Sequence, residues 1–144
     1  MSENNDGRTE AALPFFLPGV VRLGTEGNPP TLIGGRCPQC GKWFFPKPEF
    51  CSKCLHDVDE VSLGSSGSIY SSTIVRTKPP LGLPQPYGIA YVDLDGCGLR
   101  VFCLLDPQRL DQCSIGTTVR LEVAPMGVDL LGKPCLRPYS TPTV

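Results

Sequence analysis

At 144 residues and a formal net charge of −1, the chain is long enough for one compact domain with a small appendage. It lacks the basic excess that marks a dedicated nucleic-acid binder. Sixteen glycines and sixteen prolines, without period, predict many turns and short strands in place of long helices.

The first ten residues are polar, and Glu3, Asp6 and Glu10 against Arg8 carry the wrong sign for a secretory leader. They read as lying outside the folded body. The segment Leu13-Pro-Phe-Phe-Leu-Pro-Gly-Val-Val21 follows. It is too apolar for a solvated tail, and Pro14 and Pro18 break it too often for a helix or a membrane span. Such an arm needs a surface to lie on, either this chain's own flank or a partner subunit. With no secretory signal, the eight cysteines fit a reducing cytoplasm and no membrane. Gly24 to Pro30 is a turn-rich linker, and Leu32-Ile33 leads out of it.

Next comes Cys37-Pro-Gln-Cys40-Gly41, then Cys51-Ser-Lys-Cys54. Two short turns facing each other supply the four soft ligands of tetrahedral zinc, so one structural zinc ion is expected on Cys37, Cys40, Cys51 and Cys54. Gly41 suits the positive φ that closes such a turn. Between the pairs, Trp43-Phe44-Phe45 reads as a short strand ending at Pro46. A zinc ribbon has almost no core of its own, so these rings should cover the metal site and one neighbouring surface. His56 is the chain's single histidine and stands beside a ligand set that is already complete. It reads as a surface residue. The ribbon's lysines and acids are mixed and form no groove for a polyanion.

From residue 58 the pattern turns to strands. Gly67 to Arg76 is a β-branched run. Pro86 to Leu94 and Cys97 to Leu105 flank Asp95-Gly96, a strong hairpin signal. In the latter strand Cys97, Leu99, Val101, Cys103 and Leu105 share one face, so its cysteines read as small core residues. Asp106 to Gly116 leaves room for a short helix or a wrapped loop. Thr117 to Val123 alternates cleanly, with Val119, Leu121 and Val123 inward, and Cys135 to Tyr139 adds a last short strand. The expected fold is mostly β, with an N-terminal zinc ribbon followed by a five-stranded OB-fold-like barrel. Its divisions are an N-terminal extension or docking arm over 1–31, the ribbon over 32–60 and the barrel over 61–144.

The order of ribbon then barrel, with Gly35-Arg36 before the first cysteine pair, Phe45-Pro46, Ser66-Gly67, Pro86-Tyr87, Val92-Asp-Leu-Asp-Gly96 and Ile115-Gly116-Thr-Thr-Val119, resembles a known family. It is similar to the OB-fold proteins with an N-terminal rubredoxin-like zinc ribbon that accompany acyl-CoA enzymes. A narrower likeness is to the small subunit of a thiolase of aromatic breakdown. The resemblance implies a non-catalytic accessory subunit in a hetero-oligomer with a thiolase-like catalytic subunit. Relatives of the family also accompany acyl-CoA hydratases, aldolases and hydroxymethylglutaryl-CoA synthase.

No catalytic residue is assigned to this chain. Partner and CoA contacts are expected at Trp43, Phe44 and Phe45 of the ribbon. They are also expected at Arg76, Lys78 and Tyr87, which edge the proline-stiffened loop Lys78-Pro-Pro-Leu-Gly-Leu-Pro-Gln-Pro86. A single-stranded nucleic-acid module is the rival reading, since ribbons and OB barrels both bind nucleic acid. It lacks lysines around Tyr70, Tyr91 and Phe102.

Overall fold

The computed structural model describes residues 13–25 and 27–143. The polar stretch 1–10 falls outside the described residues. Nine strands and one short 3-10 helix (Leu110–Gln112) make up the described chain. Among the described residues no helix is long and apolar enough to cross a membrane.

Four strands build the ribbon's sheet: β1 (Val21–Arg22), β2 (Thr31–Arg36), β3 (Trp43–Phe44) and β4 (Asp59–Gly64). All of its pairings are antiparallel and centre on β2, which meets β1, β3 and β4. Close approach explains two small residues in β2. A Cβ on Gly34 would stand 2.6 Å from Leu63 Cδ1 and closer still to the Phe44 carbonyl, and one on Gly35 would crowd Val58. Gly34→Ala is therefore expected to push β3 and β4 off β2 and cost about 1–3 kcal/mol, as overpacking does. The denaturation midpoint of the zinc-loaded protein measures this, and an unchanged midpoint would contradict it.

The other five strands are β5 (Ser66–Val75), β6 (Tyr87–Leu94), β7 (Arg100–Leu105), β8 (Thr118–Val128) and β9 (Pro134–Pro142). They close into a barrel in the order β5-β6-β7-β9-β8, with β8 returning to β5. That is the Greek-key order of an OB fold, as expected. Strict alternation drives the closure: Ala90, Val92 and Leu94 of β6, Val101 and Leu105 of β7, and Val119 and Leu121 of β8 all point inward. Val21, Leu32 and Leu63 join the same cluster, so one core runs from the ribbon's sheet into the barrel.

The β6–β7 connection is wider than the expected two-residue turn. Leu94 N–H donates to the Leu99 carbonyl, which leaves Asp95 to Gly98 as the loop. A second glycine at positive φ, Gly98 beside Gly96, permits that wider path. Cys97 and Leu99 thus sit in the connection and not in β7, though both still pack on the core. Strand β9 is also longer than the expected Cys135–Tyr139.

The apolar arm lies on this chain's own barrel. Strand β9 pairs with β7 only at Leu104–Tyr139 and Leu105–Ser140, leaving the first half of that edge open. The arm fills it: Phe16 N–H donates to the Leu136 carbonyl at 2.9 Å, and Leu136 N–H donates to the Pro14 carbonyl at 2.7 Å. Phe16 stacks under the Arg137 guanidinium at 3.9 Å.

Candidate metal centre and docking surface

Each cysteine pair is held in a tight turn with the same hydrogen bonds. Gly41 N–H donates to the Cys37 carbonyl and Cys37 N–H to the Lys42 carbonyl; Leu55 N–H donates to the Cys51 carbonyl and Cys51 N–H to the His56 carbonyl. The residue after each second cysteine has positive φ, 79° at Gly41 and 64° at Leu55. Glycine takes that conformation freely, whereas leucine pays strain for it. Leu55 is moreover 76% exposed, and nothing in the sequence singled it out.

The two turns bring four sulfurs within 4.8 Å of one another. Cys37 Sγ lies 3.2 Å from Cys54 Sγ, and Cys40 Sγ lies 3.6 Å from Cys51 Sγ. Tetrahedral zinc with bonds of about 2.3 Å sets its sulfurs about 3.8 Å apart, so the donor set fits one zinc ion. Packed this closely, the thiols cannot all ionise by themselves. Burial pushes Cys51 up, but the N–H groups of Cys54 and Lys53 outweigh it and bring the thiol down to about 6. Cys54 gains from the His56 N–H, yet Cys37, burial and the other two thiols push it up to about 12. A divalent cation removes that conflict, because a coordinated thiol is deprotonated outright. Four thiolates leave zinc no open position for water, so its role here is structural.

The ribbon's rings divide between two surfaces, as expected. Phe44 packs on the cluster of Cys37, Cys51 and Val58, whereas Trp43 and Phe45 pack on the barrel core. Arg36 covers the Trp43 ring at 4.8 Å and Lys42 the Phe44 ring at 5.3 Å. All three rings are half-buried, and His56 is exposed.

The proline loop docks on β8. Val128 N–H donates to the Leu81 carbonyl at 2.8 Å, and Gly82 approaches Gly127. Arg76 and Lys78 are exposed at its root, and Tyr87 is half-buried. Beside it the β8–β9 hairpin ends in Leu130 and Leu131, 82% and 83% exposed. That tip is rigid. Asp129 Oδ1 accepts from the Leu131 and Lys133 N–H groups, and these bonds hold the carboxyl below its usual range. Exposed paired leucines on an ordered turn are costly in water unless something covers them. The sequence reading missed them, although Asp129 and Gly132 around them are turn signals.

No cysteine pairs with another in a disulfide among the described residues. Burial pushes the Cys103 thiol up to about 11, despite help from Ser140. At pH 8 so little of it is thiolate that alkylation by iodoacetamide should run on the order of a hundredfold slower than for an ordinary thiol. Peptide mass spectrometry of the zinc-loaded protein measures this, and labelling at the ordinary rate would contradict it. On the barrel's outer face Tyr70, Tyr91 and Phe102 are exposed. Arg100 lies 3.3 Å over Tyr70 and is bound to Asp93 at 2.6 Å.

Comparison with known proteins agrees with this anatomy. The profile for the rubredoxin-like zinc ribbon domain of ChsH2 matches residues 26–59, and that for the C-terminal OB-fold domain of ChsH2 matches residues 60–124. Benzoylsuccinyl-CoA thiolase subunit BbsA of Geobacter metallireducens is 35% identical over 118 residues, covering 81% of this chain and 78% of that one. BbsA of Thauera aromatica is 32% identical over 110 residues, covering 74% and 75%. A solved structure described as an Ltp2-ChsH2(DUF35) aldolase superposes with a TM-score of 0.64 at 27% identity, covering 79% of this chain and 86% of that one. The chain belongs to the ChsH2-type family of zinc-ribbon OB-fold proteins, which includes the thiolase subunit BbsA.

Proposed function

We propose that this chain is a non-catalytic accessory subunit of an acyl-CoA-processing complex, paired with a thiolase-like catalytic subunit. The observation that carries this reading is its 35% identity, through both domains, to a thiolase subunit. The chain's chemistry supports it. Thiolysis needs a nucleophilic cysteine activated by a base and an oxyanion site. Here the single histidine is exposed beside a zinc knuckle, four thiols form the metal site, and Cys103 is held protonated. Free cysteines throughout the described residues support a reducing, cytoplasmic setting.

Docking is assigned to the proline loop with Arg76, Lys78 and Tyr87, to the neighbouring Leu130–Leu131 tip, and to the ribbon carrying Trp43, Phe44 and Phe45. The two exposed cations suit the phosphates of coenzyme A at the edge of that surface. An affinity-tagged chain recovered from its native cells should bring a thiolase-like subunit in fixed ratio. Leu130→Asp with Leu131→Asp should weaken that association at least tenfold. A stable monomer without such a subunit would sink the reading.

A second reading, a module for single-stranded nucleic acid, has the exposed Tyr70, Tyr91 and Phe102 in its favour. Their neighbouring cation, Arg100, is already spent on Asp93. Oligonucleotide binding that falls steeply with salt would favour it.

A further inference from the structure

The arm, the ribbon and the proline loop meet around one cavity of about 360 Å³. It lies between the arm and β7, beyond the point where β7 and β9 stop pairing. Phe16, Leu17 and Val20 of the arm line it, with Phe45 and Pro46 of the ribbon and Leu83 of the loop. Its inner wall includes the core residues Val92, Val101, Val119 and Leu121.

Water would be poorly held there. A buried water needs two to four polar partners, and most polar side chains along the wall are already engaged, Ser66 by Asp95 and Arg120 by Glu122 among them. Arg137 Nε donates to the Met126 carbonyl and Nη2 to the Val128 carbonyl, at 2.9 and 2.8 Å. Ser140 Oγ and Cys103 Sγ bond each other at 3.3 Å. No buried side-chain nitrogen or oxygen among the described residues lacks a partner that a ligand would have to supply. The cavity thus has room and predominantly apolar walls, and the two arginines on its lining are already engaged, Arg120 by Glu122 and Arg137 by the Met126 and Val128 carbonyls. Its size falls within the usual range of small-molecule pockets. A cavity of about 150 Å³ takes benzene, so this one takes roughly ten to fourteen carbon atoms.

We propose that this cavity between the arm and the barrel is a binding site for an uncharged alkyl or arylalkyl group of this size, entering beside Leu17. Two sources share that chemistry: the tail of an acyl thioester, whose charged end would stay outside, and a free apolar molecule. This inference concerns the isolated chain and does not rest on the proposed complex.

The test is a fluorescence titration of the full, zinc-loaded chain with the uncharged probe N-phenyl-1-naphthylamine. Saturable binding of one probe per chain is expected. Cys103→Phe, which fills the cavity, should abolish it. Leu17→Asp, at a position 59% exposed and therefore safe for folding, should weaken it at least fivefold. Leu130→Asp, outside the lining, should leave it unchanged; the thermal melt of the barrel together with zinc content verifies the fold of each variant. Competition by 1-octanol and by octanoyl-CoA separates the sources. Tighter displacement by the thioester identifies an acyl tail, and displacement by octanol alone identifies a free apolar ligand. Absence of saturable binding, or binding that both cavity variants leave intact while retaining zinc, would overturn the proposal. Loss of the pocket would not touch recovery of a catalytic partner, so the two readings fail separately.

Discussion

Replacing Cys51 by serine is expected to abolish zinc binding and unfold the segment between the knuckles while the barrel survives. Cys51 is fully buried, and it anchors the second knuckle by accepting from Leu55 N–H and donating to the His56 carbonyl. Around it only Cys37 and Val58 are buried, a cluster far too small to fold alone. Zinc supplies the missing free energy, about 10–16 kcal/mol apparent in small zinc peptides. A serine hydroxyl in its place neither binds the metal well nor fills the space. The barrel loses only the packing of Trp43 and Phe45 and keeps its buried core, because Leu32 and Leu63 tie the far end of the ribbon's sheet into it. Hydrogen exchange is the measurement. Amides from Cys37 to Val58 should lose protection, and those of β6 and β8 should keep it. Acid should act likewise, since protons compete with zinc for the thiolates. A variant retaining stoichiometric zinc, or one whose barrel melts with its ribbon, would contradict this assignment.

Arg137→Ala is expected to cost about 2–4 kcal/mol, a large effect for one residue in a chain of this size. Arg137 is only 7% exposed, and its guanidinium satisfies two carbonyls of β8 while stacking on Phe16 of the arm. One side chain thus clamps the arm, β8 and β9 together. Lysine cannot reproduce the planar fork or the stacked face, so Arg137→Lys should recover little of the loss. Urea denaturation gives the stability change, and proteolysis after Phe15 or Phe16 reports release of the arm. Wild-type stability in Arg137→Ala would refute the clamp.

Much of this architecture is legible in the sequence where one physical rule acts alone. Cysteine spacing dictates the metal centre because tetrahedral zinc needs two facing turns. Alternation in Thr117 to Val123 gives β8 because its inner face packs and its outer face meets water. Strand β9 was harder to read. Cys135, Leu136 and Arg137 are buried in succession because the arm covers the edge and outer side of that strand, which erases the period of two. The arm itself could not be placed from its residues, because apolar character demands a cover without saying which one. Gly98 widened a turn that Asp95-Gly96 alone would have made tight. Leu130 and Leu131 fell between the last two expected strands and drew no notice, since their exposure depends on how the hairpin is placed on the barrel. The cavity is less legible still, for it arises where β7 and β9 fail to pair.

Measuring thiolytic turnover of an acyl-CoA by the purified chain, by its thiolase-like subunit and by the two together tests the central claim most directly. The chain alone should show none, and adding it to the catalytic subunit should raise turnover at least tenfold. Turnover by the chain alone, or a catalytic subunit indifferent to its presence, would contradict the account.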